Sequence, residues 1–230
     1  MSYSILLFDA DRTLLDFDKS EELAFFETLP LFGIKPTEQN LDIYKRCNKA
    51  NWEALEKGLI SKPRLLVKRF EDFLTEIGMP IFSASEMHER YTQILSQKSI
   101  LLDGALDMIK TLHKNGKRLF VITNGVTAVQ KGRLFPSPIF PYLENVFISE
   151  SMGVSKPQKK FFDLVAEQIP NFDASKAIVI GDSLTSDIQG ANNAGLDCIW
   201  FNPENTPTPQ NYRITHNVQT FAQMEDILLK

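Results

Sequence analysis

Cysteine is nearly absent from this chain: 2 of 230 residues, Cys47 and Cys198, far apart and with no partner at metal-ligand spacing. That excludes a disulfide framework and a thiolate zinc site, and both thiols are expected to be small, partly buried side chains in a reducing cytoplasm. Positive charge is also scarce. With 25 Lys and Arg against 29 Asp and Glu, the net charge of -4 provides no broad basic field for a nucleic acid polymer or an anionic membrane. A local basic pocket for one small phosphate remains compatible with that balance. No apolar run approaches the roughly 20 residues that span a bilayer. The segment Met1 to Asp9 has no basic leader and reaches an acid too early for a signal peptide, so a cytoplasmic location is expected.

What the sequence does hold is apolar: 43% of residues, 17 of them Phe, ample for a large core. Short apolar runs recur at Ile5 to Phe8, Arg118 to Ile122, Val146 to Ile148, Ala177 to Ile180 and Cys198 to Phe201. From about residue 100 they alternate with helical patterns such as Leu106, Ile109, Lys110 and His113, or Phe161, Phe162, Val165 and Ala166. Fully apolar strands separated by helices predict an α/β fold, a Rossmann-like parallel sheet with helices on both faces. Residues 17–97 have another texture, without a strand pattern, and read as an inserted all-α helical bundle between core segments 1–16 and 98–230. Its first helix, capped by Asp18, is expected to bury Leu23, Phe26 and Leu29 and to stop near Gly33. The second opens at Thr37 and runs through Tyr44 and Trp52 to about Lys57. Leu66, Phe70, Phe73, Leu74 and Ile77 give the third a 3.6-residue stripe, and the fourth uses Met87, Tyr91, Ile94 and Leu95.

Ligands of such sheets collect beyond the carboxyl ends of the strands. Asp9 with Asp11, Thr123 with Asn124, the loop bearing Lys156, and Gly181-Asp182 all fall there. Asp9 alone is better explained as a turn or capping residue. A second acidic pair, Asp182 and Asp187, changes that, because carboxylates gathered at strand ends repel unless a cation, a proton or hydrogen bonds offset them. Hard oxygen ligands suit Mg²⁺, and the lack of a Cys or His cluster disfavours zinc. Thr123-Asn124-Gly125 precedes a helix and forms a natural anion site, although capping explains the segment equally well in isolation. Lys156, beside Pro157 in a loop ahead of another helix, is able to point inward and balance several carboxylates and a phosphate.

Together these segments resemble the haloacid dehalogenase-like (HAD) hydrolase superfamily over nearly the whole chain. Asp9-Ala10-Asp11-Arg12-Thr13, Ile122-Thr123-Asn124-Gly125, Lys156-Pro157 and Gly181-Asp182-Ser183-Leu184-Thr185-Ser186-Asp187 match its four motifs in order. The helical insertion resembles its C1 cap. Phe17-Asp18, Asn193-Ala194-Gly195, Trp200-Phe201-Asn202-Pro203 and, in the insertion, Tyr44-Lys45, Asn48, Trp52 and Gly58 are similar to its pyrimidine 5'-nucleotidase branch. The Pro-rich stretch Phe135 to Pro141 departs from the plainer connection of relatives.

The resemblance implies a Mg²⁺-dependent phosphatase acting on a small phosphorylated metabolite, a nucleotide in that branch, as a monomer or dimer. It implies Asp9 as nucleophile, Asp11 as general acid and then base, and Mg²⁺ on Asp9, the Asp11 backbone carbonyl and Asp182, with Asp187 orienting its waters. Thr13, Thr123, Asn124, Gly125 and Lys156 are implied as the phosphate contacts. Selectivity is expected in the insertion, at Trp52 and Gly58 to Arg64, although aromatics in helices are more often core. Arg69 and Arg133 read as solvent-facing or as phosphate or base contacts, and His88, His113 and His216 have no evident partner. Rival readings are a sugar-phosphate or phosphoglycolate phosphatase, a phosphomutase, a haloalkanoate dehalogenase, and a non-catalytic protein that binds a phosphorylated ligand.

Overall fold

The computed structural model describes residues 3–230. The chain divides into two compact units, Met1–Phe17 with Ser99–Lys230, and Asp18–Lys98. After strand β1 (Ile5–Phe8) come α1 (Phe17–Thr28), α2 (Glu38–Glu56), α3 (Lys62–Glu76) and α4 (Ala84–Leu95). The chain then alternates: α5 (Ala105–Lys114), β2 (Arg118–Thr123), α6 (Thr127–Leu134), β3 (Asn145–Ile148), α7 (Ser149–Met152) and α8 (Lys159–Gln168). It closes with β4 (Ala177–Gly181), α9 (Gln189–Ala194), β5 (Asp197–Phe201), β6 (His216–Val218) and α10 (Phe221–Leu228).

The strands form one sheet in the order β3-β2-β1-β4-β5-β6, every pairing parallel. Alternating side chains divide between the faces, as the pleat requires. Leu6, Phe8, Leu119, Val121, Ile178 and Ile180 pack in a core with residues of α5 and α10. Ile5, Leu7, Phe120, Ile122 and Val179 pack in a second core with residues of α8 and α9. Burial on both sides is why these strands read as unbroken apolar runs. Each of the larger side chains contributes about 1.5–3 kcal/mol on burial. Strand β1 lies between β2 and β4 in register with both, Ile5 opposite Arg118 and Ala177. The chain therefore winds outward in opposite directions on either side of β1, and that reversal places a crevice at the carboxyl end of the sheet.

In the helical unit Thr37 caps α2, its side chain accepting a bond from the Asn40 amide at 3.3 Å. Phe25, Tyr44, Phe70, Phe73 and Tyr91 form an aromatic core, with Phe25 stacked on Tyr44 at 4.3 Å between centroids. The expected stripe of the first helix holds at Leu29, which is buried, and is corrected at Leu23, which is 37% exposed; the buried face of α1 carries Glu21, Ala24, Phe25 and Thr28. Polar groups enter that core because they are paired. Asn48 Nδ2 donates to Glu21 Oε1 at 2.7 Å, and Arg69 Nη1 donates to Asn48 Oδ1 at 3.1 Å. Arg69 is thus a buried member of the bundle, stacked over Phe70 and Tyr91, and not a solvent-facing charge. His88 also has partners, Arg69 and Thr92, and burial together with Arg69 pushes its pKa down to about 4. Among the described residues no helix is long and apolar enough to cross a membrane.

Candidate active site

The carboxyl end of β1 delivers Asp9, whose amide donates to the Ile180 carbonyl of β4 at 2.7 Å. A tight reversal follows, in which the amides of Leu14 and Leu15 both return to the Ala10 carbonyl. Arg12 adopts φ 59° there, a left-handed conformation that side-chain-bearing residues seldom take. Thr13 is fully buried in the turn, and among the described residues its hydroxyl meets no hydrogen-bond partner. Gly181 ends β4, Asp182 follows it directly, and Asp187 lies within the π-helical turn Leu184–Ile188.

Asp9, Asp182 and Asp187 place carboxylate oxygens within 4.8 Å of one another. Lys156 enters this cluster from the loop between α7 and α8, 2% exposed. Its Nζ donates to Asp9 Oδ1 and Asp187 Oδ1, both at 2.6 Å, and to the Ile122 carbonyl at 2.9 Å. All three ammonium hydrogens are thereby taken up. In this geometry Lys156 brings a positive charge to the cluster and has no ammonium hydrogen left over for a further acceptor. Asn124 fixes the lysine's backbone reciprocally: Nδ2 donates to the Lys156 carbonyl at 2.8 Å, and Oδ1 accepts the Lys156 amide at 3.0 Å. Asp187 Oδ2 accepts the Ser183 amide at 3.1 Å, so both oxygens of Asp187 already have partners.

One lysine does not neutralise three carboxylates. Burial lifts the Asp9 pKa well above the ordinary value; Lys156 opposes this, and the charges of Asp187, Asp182 and Asp11 add to it. Burial and then Asp187 raise Asp182 to about 7, against the pull of Arg12 and Lys156. For Lys156 burial disfavours the charge, but Asp187 and Asp9 outweigh it and hold the group above an ordinary lysine. The site is short of positive charge and offers only hard oxygen donors, which fits Mg²⁺ and not a soft metal.

Asp11 stands beside this cluster with different partners. Arg133 Nη1 donates to its Oδ1, and Gln130 Nε2 to its Oδ2 at 2.7 Å. Gln130 Nε2 also reaches Thr123 Oγ1 at 2.8 Å, and the Gly125 amide donates to the same hydroxyl at 3.1 Å. A hydroxyl with two acceptor positions filled keeps its hydrogen for another group. The expected solvent exposure of Arg133 is corrected: the side chain is fully buried and bound to Asp11. Gln130 was not anticipated at all. The signal for both was their three-residue spacing on the helix after Thr123-Asn124-Gly125, which sets them on one face. Trp52 lies half-buried on α2, in the helical unit, and Arg64 is an exposed residue of α3 paired with Glu71 at 2.8 and 2.5 Å.

A family model for haloacid dehalogenase-like hydrolases matches residues 3–195. Pyrimidine 5'-nucleotidase PynA of Streptococcus pneumoniae is 40% identical over 230 residues, which is 100% of this chain and 97% of the relative. Pyrimidine 5'-nucleotidase YjjG of Escherichia coli is 31% identical, with 100% of both chains covered. The solved structure of the HAD-hydrolase YfnB of Bacillus subtilis, bound to magnesium, is similar at a TM-score of 0.94 and 36% identity, covering 99% of each chain.

Proposed function

The chain belongs to the haloacid dehalogenase-like hydrolase family and is a phosphoric monoester hydrolase, and from that premise we propose that it dephosphorylates nucleoside 5'-monophosphates through a phosphoaspartate on Asp9. The observation that carries the chemistry is the buried Asp9 carboxylate, held by Lys156 beside Asp182 and Asp187. The nucleotide preference is supported by the two pyrimidine 5'-nucleotidases that the chain resembles over their full length. Mg²⁺ as cofactor is supported by the donor set and by the magnesium bound to the YfnB structure.

In the first step a carboxylate oxygen of Asp9 attacks phosphorus as the ester P–O bond breaks, and the departing alkoxide takes a proton from Asp11. The products are the nucleoside, phospho-Asp9 and an Asp11 carboxylate. In the second step water attacks the phosphoryl group and yields its proton to Asp11, which releases inorganic phosphate and restores both aspartates. Asp9, Asp182 and the Asp11 carbonyl would hold Mg²⁺, with Asp187 ordering its surroundings, and the ion would supply the positive charge that lets anionic Asp9 meet an anionic phosphate. Phosphoryl transfer depends chiefly on position and field. Lys156 contributes charge, Thr123 a hydroxyl hydrogen, and Thr13 with the Asn124 and Gly125 segment lines the phosphate end. Trp52 is the candidate base contact of the helical unit.

Phosphate release from a panel of nucleoside 5'-monophosphates and sugar phosphates, with Mg²⁺ and with chelator, tests the reading. Mg²⁺-dependent release, greatest from nucleotides, is expected. Preference for sugar phosphates would overturn the nucleotide assignment, and turnover surviving full chelation would overturn the metal.

A further inference from the structure

The acid–base residue of a phosphatase has to present its carboxyl group to the leaving oxygen, and a free aspartate side chain samples several rotamers. Asp11 is restrained from both ends of its carboxylate, by Arg133 at Oδ1 and Gln130 at Oδ2. Each oxygen retains a further lone pair for the proton in transit. Arg133 is itself fixed by more than this bond. Its guanidinium lies over the Phe17 ring, 5.6 Å from the centroid, and its carbonyl accepts the Ser99 hydroxyl at 2.6 Å. Phe17 and Ser99 are the residues at which the chain leaves the sheet unit and returns to it. Those two segments are joined by the Asp16 amide on the Ile100 carbonyl at 2.9 Å and by the Leu15–Leu101 bridge. A buried arginine has a large desolvation cost, and here it is placed where its charge meets the Asp11 carboxylate.

We propose that Arg133 and Gln130 are positioning residues for Asp11, aligning its carboxyl group with the leaving oxygen and anchoring it to the two crossings of the chain. The inference rests on the reading of Asp11 as the acid–base residue. Neither side chain exchanges a proton with substrate; they fix where the Asp11 proton is delivered.

A misplaced acid harms an alkoxide leaving group far more than a p-nitrophenolate, which departs without a proton. The test measures the fast first step of Arg133→Lys and Arg133→Met by rapid mixing, with a nucleoside 5'-monophosphate and with p-nitrophenyl phosphate. The ratio of the two rates is expected to move against the nucleotide on the order of 10- to 100-fold, within what general acid catalysis contributes. Because the ratio is taken on one preparation, the folded fraction cancels, so a poorly folding variant still reports. Gln130→Met is expected to shift the ratio in the same direction. Equal losses on both esters would overturn the positioning role. A wild-type protein that hydrolyses neither ester would overturn instead the hydrolase reading beneath it.

Discussion

Gly181 and Asp187 are packed so closely that a Cβ on Gly181 would lie 2.3 Å from the Asp187 carboxylate. Asp187 has no room to yield, being held by Lys156 on one oxygen and the Ser183 amide on the other. Gly181→Ala is therefore expected to displace Asp187 and disorder the carboxylate cluster. The overpacking cost is on the order of 1–3 kcal/mol. Thermal unfolding and Mg²⁺ titration of the variant check this, and an unchanged melting temperature with normal Mg²⁺ affinity would contradict it.

Lys156→Met removes the ammonium bonded to both Asp9 and Asp187. Taking one partner out of a buried ionic cluster costs about 3–5 kcal/mol. The loss should depend on pH with a definite sign. Without the lysine, carboxylates already raised by burial bind protons more readily than in the unfolded chain, so stability is regained as pH falls and lost as it rises. Urea unfolding of the variant at pH 5.5 and at pH 8 measures the difference.

Five strands were legible because most of their residues are buried, which leaves short apolar runs to read even where a polar residue such as Arg118, Asn145 or Asp197 opens the strand. Strand β6 was not, because His216-Asn217-Val218 is a three-residue edge strand with an exposed centre. The first helix of the bundle misled for a related reason: Glu21 and Thr28 occupy its buried face, and partnered polar residues do not register in a hydrophobic stripe. At the site, Asp9, Thr123 and Asp182 could be placed from strand ends, and Lys156 from its loop beside Pro157 together with the family resemblance. Gln130 and Arg133 could not, because their importance comes from a contact with Asp11 more than a hundred residues away in sequence.

Asp182, raised to about 7, binds a proton in the folded metal-free protein over a range where the unfolded aspartate, near pKa 3.9, does not. Its contribution is present in full below the unfolded value and is lost as pH rises through about 7; Asp9 acts in the same direction. The metal-free protein should thus melt lower at pH 8 than at pH 6. Mg²⁺ competes with these protons, so its stabilising effect should be larger at pH 8. Differential scanning calorimetry with and without Mg²⁺ at both pH values tests the crossover.

Asp9→Asn should abolish turnover while leaving ester binding measurable by calorimetry. Asp11→Asn should slow both chemical steps by on the order of 100- to 10,000-fold. If the second step suffers more, acid quenching after reaction with radiolabelled substrate will trap a phosphoprotein in Asp11→Asn and none in Asp9→Asn. A trapped label in Asp9→Asn would place the nucleophile elsewhere.

Thr123 makes the finest distinction between structural and chemical roles. Its hydroxyl accepts from Gln130 and from the Gly125 amide, so a capping or packing role would need only an acceptor oxygen. A phosphate contact needs the hydrogen. Thr123→Val removes both, while Thr123→Ser keeps both and loses one methyl from a buried site. A hydrogen bond to a charged group is worth about 1.5–3 kcal/mol, or about 10- to 100-fold in kcat/KM at 1.4 kcal/mol per decade. Thr123→Val should show that loss in kcat/KM and Thr123→Ser little of it, even if packing makes the serine variant the less thermostable of the two. Activity that instead followed stability across the pair would return Thr123 to a structural role.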